Sequence, residues 1–92
     1  MVGVLTVDLV IRESRSLKDK RRVVKSITQR IRDRFNVSVA EMGDPDKHQR
    51  CTLQIASVCN ESRPLHARFD KIIDVIRGKP DVSLLEYHRE FY

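Results

Sequence analysis

The sequence predicts an α+β fold, a four-stranded antiparallel sheet carrying two helices on one face, and three observations lead there. Residues 2–12 and 49–60 alternate their side chains with period two. The segment after each of them repeats apolar residues at helical spacing behind a capping residue. Between the first helix and the second long strand, Gly43 and Pro45 stand with two aspartates in the manner of a hairpin turn.

Taken in order, residues 2–12 place Leu5, Val7, Leu9 and Ile11 on one face, with Val4, Thr6, Asp8 and Val10 on the other. In "SLKD", Ser16 is a helix cap and Asp19 can reach back to it as a capping box. At 100° per residue Leu17, Val24, Ile27, Ile31 and Phe35 gather on one side, so an amphipathic helix is expected to about Arg34. "NVSVAEM" reads as a short strand. Residues 49–60 then set Cys51, Leu53, Ile55 and Cys59 opposite Thr52, Gln54, Ala56 and Val58. Ser62 and Pro64 open a second helix, along which Leu65, Phe69, Ile72 and Ile76 keep helical spacing until Gly78 and Pro80 end it. "DVSLLEYHREFY" closes the chain as a mixed, strand-like tail.

The order β, α, β, β, α, β with right-handed crossovers and a central hairpin gives the ferredoxin-like arrangement. Ninety-two residues suit one domain, residues 1–92, with a single modest core. The composition, 40% hydrophobic and 34% charged, is that of a globular chain. The longest uncharged apolar runs, such as "VGVLTV", are strand-sized, so no membrane span is expected, and the opening residues lack the basic region and cleavage site of a signal peptide. A cytoplasmic location follows as the expectation. Cys51 and Cys59 lie eight residues apart on one predicted strand. That separates them by about 27 Å at about 3.3 Å per residue, too far for a disulfide.

The net charge of +5 is unevenly distributed. Residues 15–34 hold nine basic and two acidic side chains, net +7, and the rest of the chain is net −2. On the helical wheel Lys18, Arg21, Arg22, Lys25 and Arg32 share one outward face. Lys20, Arg30 and Arg34 fall on the other flank, where their stems can cover apolar neighbours with the charged heads in water. A solvated face is one reading of such a helix. Against it, solvated faces usually mix signs at i,i+4, and here acidic partners are scarce, which favours a phosphate-rich partner.

Other chemistry is thinly represented. Asp44, Asp46 and His48 have a metal-like spacing that turn formation also explains, so no metal and no cofactor is expected. His66 and His88 have no nucleophile at motif spacing, and Gly-rich phosphate loops are missing, so no enzymatic activity is expected. The long strands lack the aromatics of an RNA-recognition sheet, and no GxxG loop is present. The helix-free sheet face, with Val4, Thr6, Val10, Thr52, Ala56 and Val58 interrupted by Asp8 and Gln54, offers the alternative of a protein-interaction or homodimerising module. The edge strand "NVSVAEM" belongs to the same alternative, because no central lysine blocks it.

The strings "SRSLKDKRRVVKSI", "RFNVSVAEMGD" and "QRCTLQIASV" together resemble the bacterial YlxP-like family over nearly the whole chain. The resemblance implies a ferredoxin-like fold. It also implies a ribosome-associated or RNA-binding role, because genes of that family commonly sit beside those for transcription termination, translation initiation and ribosome maturation. It supplies no catalytic residues. The family's basic motif maps onto Lys18, Lys20, Arg21, Arg22 and Lys25, and its frequent tryptophan before the central strand is His48 here. The expected partner is therefore ribosomal or other structured RNA, contacted through Lys18, Arg21, Arg22, Lys25 and Arg32, with a translation factor or a second copy of the chain as further candidates.

Overall fold

The computed structural model describes residues 1–43 and 47–92. Six elements follow one another: β1 (Val2–Ile11), α1 (Leu17–Arg34), β2 (Ser38–Met42), β3 (Arg50–Val58), α2 (Ser62–Arg77) and β4 (Val82–Phe91). The sheet order is β2-β3-β1-β4, with all neighbours antiparallel. This is the ferredoxin-like topology expected from the element order.

Alternation sets the layers. Leu5, Val7, Leu9 and Ile11 of β1 and Leu53 and Ile55 of β3 are buried on the helix side, where they meet Ile27 and Ile31 of α1 and Leu65, Phe69, Ile72 and Ile76 of α2. Gly3 belongs to this face. A Cβ there would stand 2.7 Å from Leu65 Cδ2 and 2.9 Å from Phe69 Cε2, so a side chain is excluded by the close passage of α2 over β1.

Helix starts depart from expectation in detail. Ser16 caps α1 by accepting from the Asp19 N–H at 3.1 Å, but the Asp19 carboxylate accepts from the Arg15 N–H at 3.2 Å, one residue earlier than a standard capping box. In α2 the cap is Glu61, without a side-chain bond, and Ser62 is the first helical residue. The tail looked mixed because β4 carries an irregularity. Asp8 pairs with Glu86 and Leu9 with Leu84, which leaves Leu85 as the extra residue, half exposed between them.

The cysteines are both free. Burial pushes the Cys51 thiol up to about 12, with the Glu41 carboxylate beside it adding to the shift. Among the described residues no helix is long and apolar enough to cross a membrane.

Candidate nucleic-acid interface

Helix α1 spans eighteen residues, so the five cations expected to contact phosphate are spread over about 21 Å of its length at 1.5 Å per residue. Arg21 and Lys25 are one turn apart, as are Lys18 and Arg22, and Arg32 continues the first row two turns beyond Lys25. All five are exposed.

Their surroundings explain why the charge stays uncompensated. The two acidic residues of the helix are occupied elsewhere: Asp19 accepts from the backbone at the cap, and Asp33 accepts from Gln29 Nε2 at 2.8 Å. Among the described residues no carboxylate pairs with Lys18, Arg21, Arg22 or Lys25. Arg32 differs from them. Its Nη2 donates to the Val39 carbonyl of β2 at 2.7 Å, which anchors the guanidinium beside the strand and leaves its other N–H groups available. That bond also covers part of the β2 edge, so the strand has a charged guard after all, supplied by the neighbouring helix.

Lys20 corrects the wheel. Its head does not stay wet: the residue is 2% exposed, and Nζ lies 3.1 Å from Glu41 Oε2. The reason is angular. Lys20 sits one turn before Val24 and two before Ile27, inside the sector that α1 buries, whereas Leu17, at the edge of that sector, is only half-buried. The alternation of β2 turns Glu41 toward the same layer, in register with Leu53, so the basic motif contributes a structural ion pair at this one position.

The opposite face carries an acidic row along its β4 side, with Arg50, paired with Val10, as a cation elsewhere on it. Pairing with Val4, Thr6 and Asp8 puts Glu90, His88 and Glu86 of β4 on the helix-free side, next to the Asp8 carboxylate that accepts from Thr52 Oγ1 at 2.6 Å. The tail had given no sign of this row, because the irregularity at Leu85 breaks its alternation. Val4, Thr6, Val10, Thr52 and Ala56 are half-buried in the sheet face, and Val58 is open to solvent. With β4 in place the face is more acidic and less apolar than β1 and β3 alone suggested.

Of the metal-spaced trio, Asp44 and Asp46 lie outside the described residues; among the described ones no three His, Cys, Asp or Glu side chains gather as metal ligands.

The family model described as "Protein of unknown function (DUF503)" matches residues 2–89. The uncharacterized protein YlxP of Bacillus subtilis (strain 168) is 32% identical over 83 residues, covering 90% of each chain. Among solved structures, the de novo designed protein Foldit4 is similar with a TM-score of 0.57 at 16% identity, over 99% of this chain and 97% of its own, which is a likeness of fold alone. Matched to that family model over nearly its whole length and similar to YlxP over nine-tenths of both chains, the chain belongs to the DUF503 family of YlxP-like proteins.

Proposed function

We propose that this protein is a non-enzymatic accessory factor that docks on structured RNA, ribosomal RNA first among the candidates, through the outward face of α1. One observation carries the reading. The helix spends both of its carboxylates on internal bonds and leaves Lys18, Arg21, Arg22 and Lys25 exposed with no acidic partner among the described residues. Lysines on such a face act as point charges, and arginines can hold a phosphate with two N–H groups. Contacts of this kind fix position and carry little sequence information, so binding is strongly salt-dependent and weakly sequence-specific. The acidic row on β4 orients the encounter by disfavouring approach of a polyanion from the sheet side.

Co-sedimentation with purified ribosomal subunits over a salt series tests this. Five phosphate contacts give a log-log slope of about −3.5 on single strands and about −4.5 on a duplex, with the B-DNA value as guide for RNA. The variant Arg21→Glu/Arg22→Glu/Lys25→Glu is expected to lose binding with its melting curve retained. A flat salt response, or a variant that binds like the parent, overturns the reading in favour of a protein partner on the sheet face.

A further inference from the structure

The contact between α1 and α2 leaves a groove open on the helix layer. Its larger part, about 620 Å³, lies between Arg30, Arg34 and Phe35 on one side and Lys71, Asp74, Val75 and Gly78 on the other. A second depression of about 390 Å³ continues it between the same Arg34, Phe35 and Lys71 and the residues Pro64, Ala67 and Arg68. Arg34, Phe35 and Lys71 line both, so the two form one channel along α2 from its first turn to its end. Ala67 on α2 and Gly78 at its C-terminal cap intrude little into it.

Charge and shape select the occupant. Arg30, Arg34, Arg68 and Lys71 face a single carboxylate, Asp74, which makes an ion pair with none of them. Arg68 is held in place from below: Nη1 donates to Ser57 Oγ, which in turn donates to the Asn36 carbonyl at 2.9 Å. Arg34, Arg30 and Lys71 stand exposed. Phe35 ends α1 in an extended conformation, which leaves its half-buried ring in the wall of the channel with the Arg34 guanidinium 5.9 Å from its centroid. A cationic groove with an aromatic side chain in its wall is the combination that holds a single nucleic-acid strand. A duplex is excluded, because packed helices stand only about 8–10 Å apart axis to axis. On the helix Arg30 and Arg34 also point away from Arg21 and Arg32 by nearly half a turn, so a partner seated on the outward face does not fill this groove.

We propose that the α1–α2 groove is a second RNA contact, one that takes an unpaired strand with its phosphates on Arg30, Arg34, Arg68 and Lys71 and a base against Phe35. It rests on the reading of the protein as an RNA-binding factor and adds to it the kind of RNA element recognised: a loop, bulge or single-stranded end flanking the structure that the outward face meets.

The test uses the full chain and two fluorescein-labelled probes, a twelve-nucleotide oligouridine and a blunt RNA duplex of the same length, in anisotropy titrations over a salt series. Arg30→Gln/Lys71→Gln removes two groove cations at exposed positions, and Ala67→Leu fills the groove with aliphatic bulk at constant charge. Both are expected to keep the parent's melting temperature and duplex affinity and to lose oligouridine affinity about tenfold, the double variant through two lost phosphate contacts and the filled groove by keeping a base from Phe35, a loss of the size a base–aromatic contact provides. The double variant's oligouridine slope also becomes shallower by about 1.4. Groove variants that bind oligouridine like the parent overturn the groove and leave the outward face standing, as does a loss of both probes in equal measure. A parent that binds neither probe overturns the RNA reading and the groove together.

Discussion

The ion pair inside the basic motif gives the sharpest quantitative test of the structure. Lys20 and Glu41 are 3.1 Å apart, with Lys20 2% and Glu41 32% exposed, so the two ends of one interaction sit in different environments. At an effective dielectric constant of about 20 their attraction is about 5 kcal/mol, most of it offset by the cost of taking the ammonium out of water. Glu41→Gln removes the carboxylate and leaves the ammonium buried. Breaking a buried pair in that way costs about 3–5 kcal/mol, and the lower end applies because water reaches Glu41 and because Lys20 has interactions beyond this one. Lys20→Met acts from the other side. It replaces the stem with an apolar chain of similar length in a sector already lined by Val24 and Ile27, and the carboxylate left behind can rehydrate, so the cost is about 1 kcal/mol. The expected order is therefore Glu41→Gln well above Lys20→Met, read from urea midpoints at equal m-value. A Lys20→Met variant that loses more stability than Glu41→Gln would refute the placement of Lys20 in the core. The same variant separates structure from function: its RNA salt slope should equal the parent's, whereas Lys25→Met should make it shallower by about 0.7–0.9.

Gly3→Ala should cost about 1–3 kcal/mol in urea unfolding, since its Cβ meets Leu65 and Phe69 below contact distance in a closed core. Cys51 should resist a thiol reagent in the folded protein, whereas Cys59, half-buried beyond the end of β3, reacts. Because the Cys51 thiol is raised from 9.0 to about 12 on folding, its contribution to stability is complete below pH 9 and is lost as pH rises toward 12. Roughly 1 kcal/mol should already be gone at pH 10, measured as the difference in pH dependence between parent and Cys51→Ala, and a flat difference would contradict the burial. Arg32→Ala should uncover the Val39 carbonyl at the sheet edge and promote concentration-dependent self-association in sedimentation velocity; a monomeric variant at all concentrations would show the guard to be dispensable.

What the sequence made legible was local. Leu5, Val7, Leu9 and Ile11 declare a strand and its buried face by themselves, and Leu65, Phe69, Ile72 and Ile76 declare a helix, because the period of each pattern is a property of consecutive residues. The outward cations of α1 were legible for the same reason. What escaped depends on residues far apart in the chain. The burial of Lys20 needs Glu41, which a strand beyond the helix delivers. The acidic row of β4 needs the register with β1, and the extra residue at Leu85 hides it from any reading of alternation. The groove is further from the sequence still, since Arg30 and Arg34 became part of a site only when α2 brought Arg68 and Lys71 beside Phe35.

These non-local placements bear on mechanism, because they divide the charge of the molecule by layer. The helix layer gathers the cations of α1 and those of the groove, and β4 exposes Glu86 and Glu90 on the far side of the sheet beside Asp8. A chain with net charge +5 attracts a polyanion over a Debye length of about 8 Å at physiological salt whatever its shape. On the proposed RNA-binding reading, the division by layer adds a direction to that attraction, turning the helices toward the phosphates before any contact forms. The outward face can then engage a structured segment while the groove, on the other flank of α1, remains open to a strand leaving it. The helix-free face stays turned away from the nucleic acid in such a complex, with Met1, Val2, Val58 and Tyr92 exposed at one end. Charge reversal at Glu86 and Glu90 should therefore raise affinity for RNA at low salt without improving its discrimination between strand and duplex, since those carboxylates shape the field and touch neither contact.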